Sequence, residues 1–151
     1  MSFSAEEEED LLLSWCENNA AAAEMLKTLA SISQAADDFV DGDTRSSDRM
    51  SMMLKMCLID LPANEFYRAH HAVLAPVMLV AISQWNASNE WAESSNEDIQ
   101  MFAYVYREAL EQIIPVVAQL CGGDALEVAK DVNDFYHLEN GESFKEWREH
   151  G

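Results

Sequence analysis

The sequence predicts a single all-α domain, a helical bundle of about five to seven helices over residues 1–151, two of them kinked by proline. Three observations carry that expectation. Apolar residues recur at spacings of three and four along most of the chain. No alternating run long enough for a strand interrupts them. Helix-capping residues stand where one apolar stripe stops and the next begins.

Ser4 with Glu7 forms a capping box, and Glu6 to Glu9 sit where a helix N-terminus favours negative charge. A first helical region from about Ala5, with a break near Asn18-Asn19, continues through Met25, Leu26, Leu29, Ile32, Ala36 and Val40. Gly42 is its expected left-handed cap. The next helix runs from near Ser46 to Leu61 and stops at Pro62, with Asn64 capping its successor. That successor carries His70, Leu74, Met78 and Trp85, is kinked by Pro76, and gives way to a loop at Asn86–Asn89. Ser95 with Asp98 starts a helix to Leu120, kinked at Pro115 and closed by Gly122-Gly123. Asp124 caps a helix to about Glu139, and Ser143 caps a short terminal one.

Apolar residues are 49% of the chain, enough for a core without disulfides or metal. The 28 acidic residues against 9 Lys and Arg give a net charge of -19. Such a chain will not bind nucleic acid by covering phosphates with cations, and anionic membrane surfaces repel it. No apolar run is expected to reach membrane-spanning length. Cys16, Cys57 and Cys121 form no CxxC, and the acidic start is the opposite of a signal peptide, so a cytoplasmic protein with reduced thiols is expected. Residues 1–43 hold 11 acidic residues and 1 basic, a net -10; the remaining residues hold 17 and 8, a net -9.

The sharpest local feature is Asp37-Asp38-Phe39-Val40-Asp41-Gly42-Asp43. On a helical wheel Asp37, Asp41 and Asp38 fall at about 140°, 180° and 240°, away from the apolar stripe near 30°. A helix C-terminus disfavours carboxylates, and a hard divalent cation, Mg²⁺ or Ca²⁺, would reverse that cost. A solvated helix end followed by an Asp-Gly-Asp turn explains the same residues without a metal.

Asp37, Asp38 and Asp41 read DDxxD, and this stretch resembles the first aspartate-rich motif of the class I isoprenoid synthases. Asn133-Asp134-Phe135-Tyr136-His137 is similar to the start of the second metal motif of the terpene-cyclase branch. His137 stands where that motif has Ser or Thr, and Gly141 where it has Glu. The resemblance implies a helical bundle whose aspartates hold Mg²⁺ against a substrate diphosphate. Small, acidic, helical and tryptophan-bearing, the chain also resembles many small proteins of tailed phages and prophages, a likeness of type that assigns no activity.

Asp134 and Asn133 lie three and four residues before His137, spacings that converge on a regular helix, so Asp134 and His137 join the metal candidates and Asn133 is a ligand-binding candidate. Glu108 and Glu111 form a similar pair, expected on an exposed face. His70 and His71 point about 100° apart and cannot share a metal; His70 is expected to be buried and hydrogen-bonded. Trp85 and Trp91 flank a polar stretch and are interface candidates. No nucleophile with a base nearby and no Gly-rich phosphate loop is present, and whether the protein is an enzyme stays open. Two functions follow: binding of a divalent cation and a phosphate-bearing ligand at the Asp-rich helix end, or a non-enzymatic acidic protein that binds a basic partner. A homodimer is compatible with either.

Overall fold

The computed structural model describes residues 3–42 and 46–150, and they are all-helical. Helix α1 (Ala5–Trp15) opens with the expected capping box, Ser4 Oγ accepting from Glu7 N–H and Glu7 reaching back to Ser4 N–H. Glu17 and Asn18 take positive φ values of 54° and 61°, which reverse the chain so that Asn19 caps α2 (Ala20–Asp41). Gly42 ends α2 in the left-handed conformation, at φ 78°. Ser46 caps α3 (residues 47–63), which widens into a π-helical turn at Met56–Asp60. Asn64 caps α4 (Glu65–Trp91) and also ties it to α2, its amide donating to Ala21 O at 2.9 Å.

Asn96 caps α5 (Glu97–Tyr106). The chain breaks at Arg107-Glu108 and resumes as α6 (Ala109–Leu120), whose first turn is a 3-10 helix. Helix α7 (residues 125–139) starts on Asp124 and ends as a π-helix over Asp134–Glu139. Ser143 Oγ accepts from Glu146 N–H ahead of α8 (Phe144–His150). Most of the buried apolar residues form one cluster: Trp15 and Cys16, Met25 from α2, Leu74 from α4, Val117 from α6 and Val132 from α7 meet in it. Truncating one of the large members to alanine typically costs about 2–5 kcal/mol.

Several expectations are corrected. The described residues form eight helices, one more than the upper estimate, because the stretch from Ser95 to Leu120 is two helices. Asn86–Asn89 is the continuation of α4 rather than a loop. Pro115 is the second residue of the α-helical segment that begins at Ile114, at the junction with the 3-10 turn of α6 rather than inside a regular α-helix. Helix α4 runs unbroken through Pro76, whose exposed position leaves the freed Ala72 carbonyl open to water. His70 is only half-buried and lies against Phe66, with ring centres 4.4 Å apart. Helix α4 is also long and apolar enough to cross a membrane by length and composition, against the expectation that no run reaches that length.

Gly141 closes the π-helical end of α7 so tightly that a Cβ there would meet Tyr136 O at 2.6 Å and His137 Cα at 3.0 Å. These are backbone atoms and cannot swing aside. Gly141→Ala is expected to cost about 1–3 kcal/mol by overpacking, read as a lower urea midpoint with unchanged slope.

Candidate functional site

A cleft of about 950 Å³ opens between α1, α2, the start of α6 and the end of α7. Its acidic lining comes from Glu8, Asp37, Glu108, Glu111, Glu142 and Glu146. Lys27 and Arg107 are the lining cations, so six carboxylates against two cations leave a net -4 with His137 neutral.

Local geometry explains why these side chains meet. Glu108 occupies the break, at φ -102° and ψ 21°, and the 3-10 turn follows it. In that tighter winding residues i and i+3 eclipse, so Glu108 and Glu111 stand together instead of fanning apart. The π-helical end of α7 is under-wound, which turns Tyr136 and His137 toward them; π segments recur at functional sites for this reason. His137 Nε2 lies 3.0 Å from Glu111 Oε2. That is ion-pair distance, but the ring N–H is off the line a hydrogen bond needs, and Glu111 Oε2 is buried without an aligned donor. Tyr136 O–H donates to Glu8 Oε2 at 2.8 Å, joining the two ends of the chain across the cleft.

Arg107 carries most of the compensation. One amino group pairs with Glu108, the other lies 4.0 Å from Glu142, and its Cζ sits 4.7 Å over the Tyr104 ring. Even so, burial and then the charge of Glu111 push Glu108 up to about 7. Burial also raises Asp37, with the Trp85 hydrogen bond pulling the other way. His137 is raised by its contact with Glu111, against burial. Burial raises the Tyr136 hydroxyl as well, and the Glu8 carboxylate adds to it.

The residues singled out from sequence separate in space. Asp37 faces the cleft and accepts from Trp85 Nε1 at 2.6 Å. Asp38 is held elsewhere, by Arg49 Nη2 at 2.8 Å and Gln34 Nε2 at 2.8 Å. Asp41 is exposed on the last turn of α2, and Asp43 lies outside the described residues. Asn133 accepts from Gln112, Asp134 lies 3.9 Å from Lys130, and His137 turns to Glu111. The π winding breaks the spacing that would have converged them. Among the described residues no three His, Cys, Asp or Glu side chains are placed to hold a metal ion. Trp85 and Trp91 are half-buried, Trp91 against Phe102 and Tyr106.

Glu108 and Glu111 are half-buried in the cleft, not on the exposed face expected for them. The i, i+3 pairing was visible in the sequence; the break that turns it inward was not. Arg107 is an isolated cation in the sequence, and no spacing assigns it to this site. No protein-family model matches the chain, and neither the curated proteins nor the solved structures contain a match to it.

Three raised groups fix the sign of the pH dependence. A carboxylate raised in the fold, Glu108 or Asp37, costs nothing while protonated and destabilises as pH rises through its folded value. A raised histidine stabilises below its unfolded value, and that contribution is lost as pH rises through the folded one. All act in one direction, so the melting temperature is expected to fall between pH 5 and about 8. Glu108→Gln should flatten that slope, recovering on the order of 1–3 kcal/mol at the alkaline end; thermal melts across the range check it.

Proposed function

We propose that this protein is a non-enzymatic binding module that takes a basic side chain of a partner protein, lysine or arginine, into the acidic cleft. The observation that carries this reading is the cleft's composition: six carboxylates against two cations around one space of about 950 Å³. That volume lies within the range of sites that enclose organic groups and is far more than a bare ion needs. A cation entering it relieves repulsion among Glu108, Glu111 and Asp37, and its N–H groups meet the buried Glu111 Oε2 that lacks an aligned donor. The chain's net charge of -19 steers a basic partner toward it over longer range. A bare phosphate group would meet carboxylates in the same space.

Calorimetric titration with a lysine-bearing peptide, against its norleucine counterpart, tests the reading. Only the lysine peptide should bind, and more weakly as salt rises. Affinity should drop about tenfold or more in Glu108→Gln/Glu111→Gln. It should also drop between pH 8 and about 6, as Glu108 takes up its proton. Equal binding of both peptides sinks the proposal. So does a Mg²⁺ titration that moves Asp37 and Asp38 resonances, is abolished by Asp38→Asn, and has no counterpart with the peptide.

A further inference from the structure

The outer face of α4 is an unusual surface for so acidic a chain. Residues 69–89 contain no Asp, Glu, Lys or Arg, although 25% of the chain is charged. The helix buries Phe66, Leu74, Ala81 and Ser88. Its opposite side leaves Leu79 65% exposed, with Ile82 at 51% on one flank and Val80 at 57% on the other. Contiguous apolar surface of this kind marks an interaction site.

The two charges that bound the face say what covers it. Arg68 lies eleven residues before Leu79 and Glu90 eleven residues after it. Eleven residues are close to three turns, a drift of about 20°, so Arg68, Leu79 and Glu90 lie along one line of the helix. All three are exposed. Arg68 Nη1 donates to Pro62 O and Ala63 O, which anchors the side chain at that end while the guanidinium keeps further donors.

We propose that a second copy of this chain packs on this face, antiparallel, about a two-fold axis at Leu79. In that register Leu79 meets its own counterpart. Each copy's Arg68 then stands opposite the other's Glu90, so complementary charges close both ends of the contact. Ala75 pairs with Ser83 and Ala72 with Asn86, small residues beside the crossing that let helix axes approach to about 8 Å. Two chains of charge -19 repel each other overall. This face lets a like copy approach without bringing carboxylates together, and an isologous contact needs this self-complementarity. A lipid environment fits less well. One side of α4 already packs in the bundle core, and its last turns carry Gln84, Asn86, Ser88 and Asn89.

Sedimentation equilibrium tests the register. The wild-type chain should be dimeric, and Leu79→Arg should weaken association about a hundredfold or more, with an unchanged helical circular dichroism spectrum. Glu90→Arg alone should weaken it about tenfold by facing Arg68 with a like charge, and the exchange R68E/E90R should restore it to within about threefold. A wild-type chain that stays monomeric overturns the proposal, as does a dimer indifferent to Leu79→Arg or a charge exchange that restores nothing. A monomer that floats with phosphatidylcholine vesicles and loses that in Leu79→Arg overturns it in favour of lipid.

Discussion

Arg107 is the charge on which the cleft depends. It stands where α5 stops and the 3-10 turn begins, among Glu108, Glu142 and the Tyr104 ring. Tyr104 in turn donates to Glu142 O, and Phe144 and Trp147 of α8 pack on its ring. One guanidinium therefore ties the break in the chain to the C-terminal segment. Without it Glu108 and Glu111 would share a half-buried site with only His137 in support, and neighbouring carboxylates in such a setting do not both stay ionised. Lysine would not replace it, because a point charge cannot reach two carboxylates and stack on a ring at once.

That arrangement leaves the cleft under-compensated rather than neutral. Glu108 is raised to about 7 despite its direct partner, so burial and Glu111 outweigh the arginine. A structure selected for stability alone would remove one carboxylate or add a further cation beside Lys27 and Arg107. Retaining the excess fits a site that receives its missing positive charge from outside. Part of the acid outside the cleft is placed where it costs little: Glu6 and Glu7 lie in the first turn of α1, where the helix dipole favours them.

The helices were legible because their signals are local. Ser4, Asn19, Ser46, Asn64, Asp124 and Ser143 each satisfy backbone donors of the helix that follows them. Where the determinants are non-local, spacing and composition mislead. Asn86–Asn89 has loop composition, yet the packing of Ser88 and the ends of α4 holds it helical. The cleft depends on three departures from the regular α-helix: the break at Glu108, the 3-10 turn after it and the π turn at Asp134–Glu139. A regular wheel assigns each of these residues the wrong direction. It sent Glu111 outward and converged Asn133, Asp134 and His137, and the structure does the reverse on both counts. The Asp-rich end of α2 was legible as a charge cluster, but Arg49, which binds Asp38 from another helix, could not be assigned to it from spacing.

Helix α4 links the acidic cleft to the uncharged surface behind it. Its inner side packs against α5 and the 3-10 turn that carries Glu111. Trp85, on the same helix, donates to Asp37 at the cleft wall, and that bond opposes the upward push of burial on the carboxyl group. The position of α4 therefore sets both the depth of Asp37 and the support beneath Glu111. A helix clamped on one side only, with Leu79 and Val80 in water on the other, holds those distances less firmly than one packed on both. Pairing through the outer face would supply the missing side, so the same contact that covers apolar surface would also steady the carboxylates on the far side of the helix. The acidic cleft lies beyond the packed side of α4 and the uncharged surface on its other side, so under the two proposals a chain of net charge -19 would meet a copy of itself with one face and a cation with the opposite one.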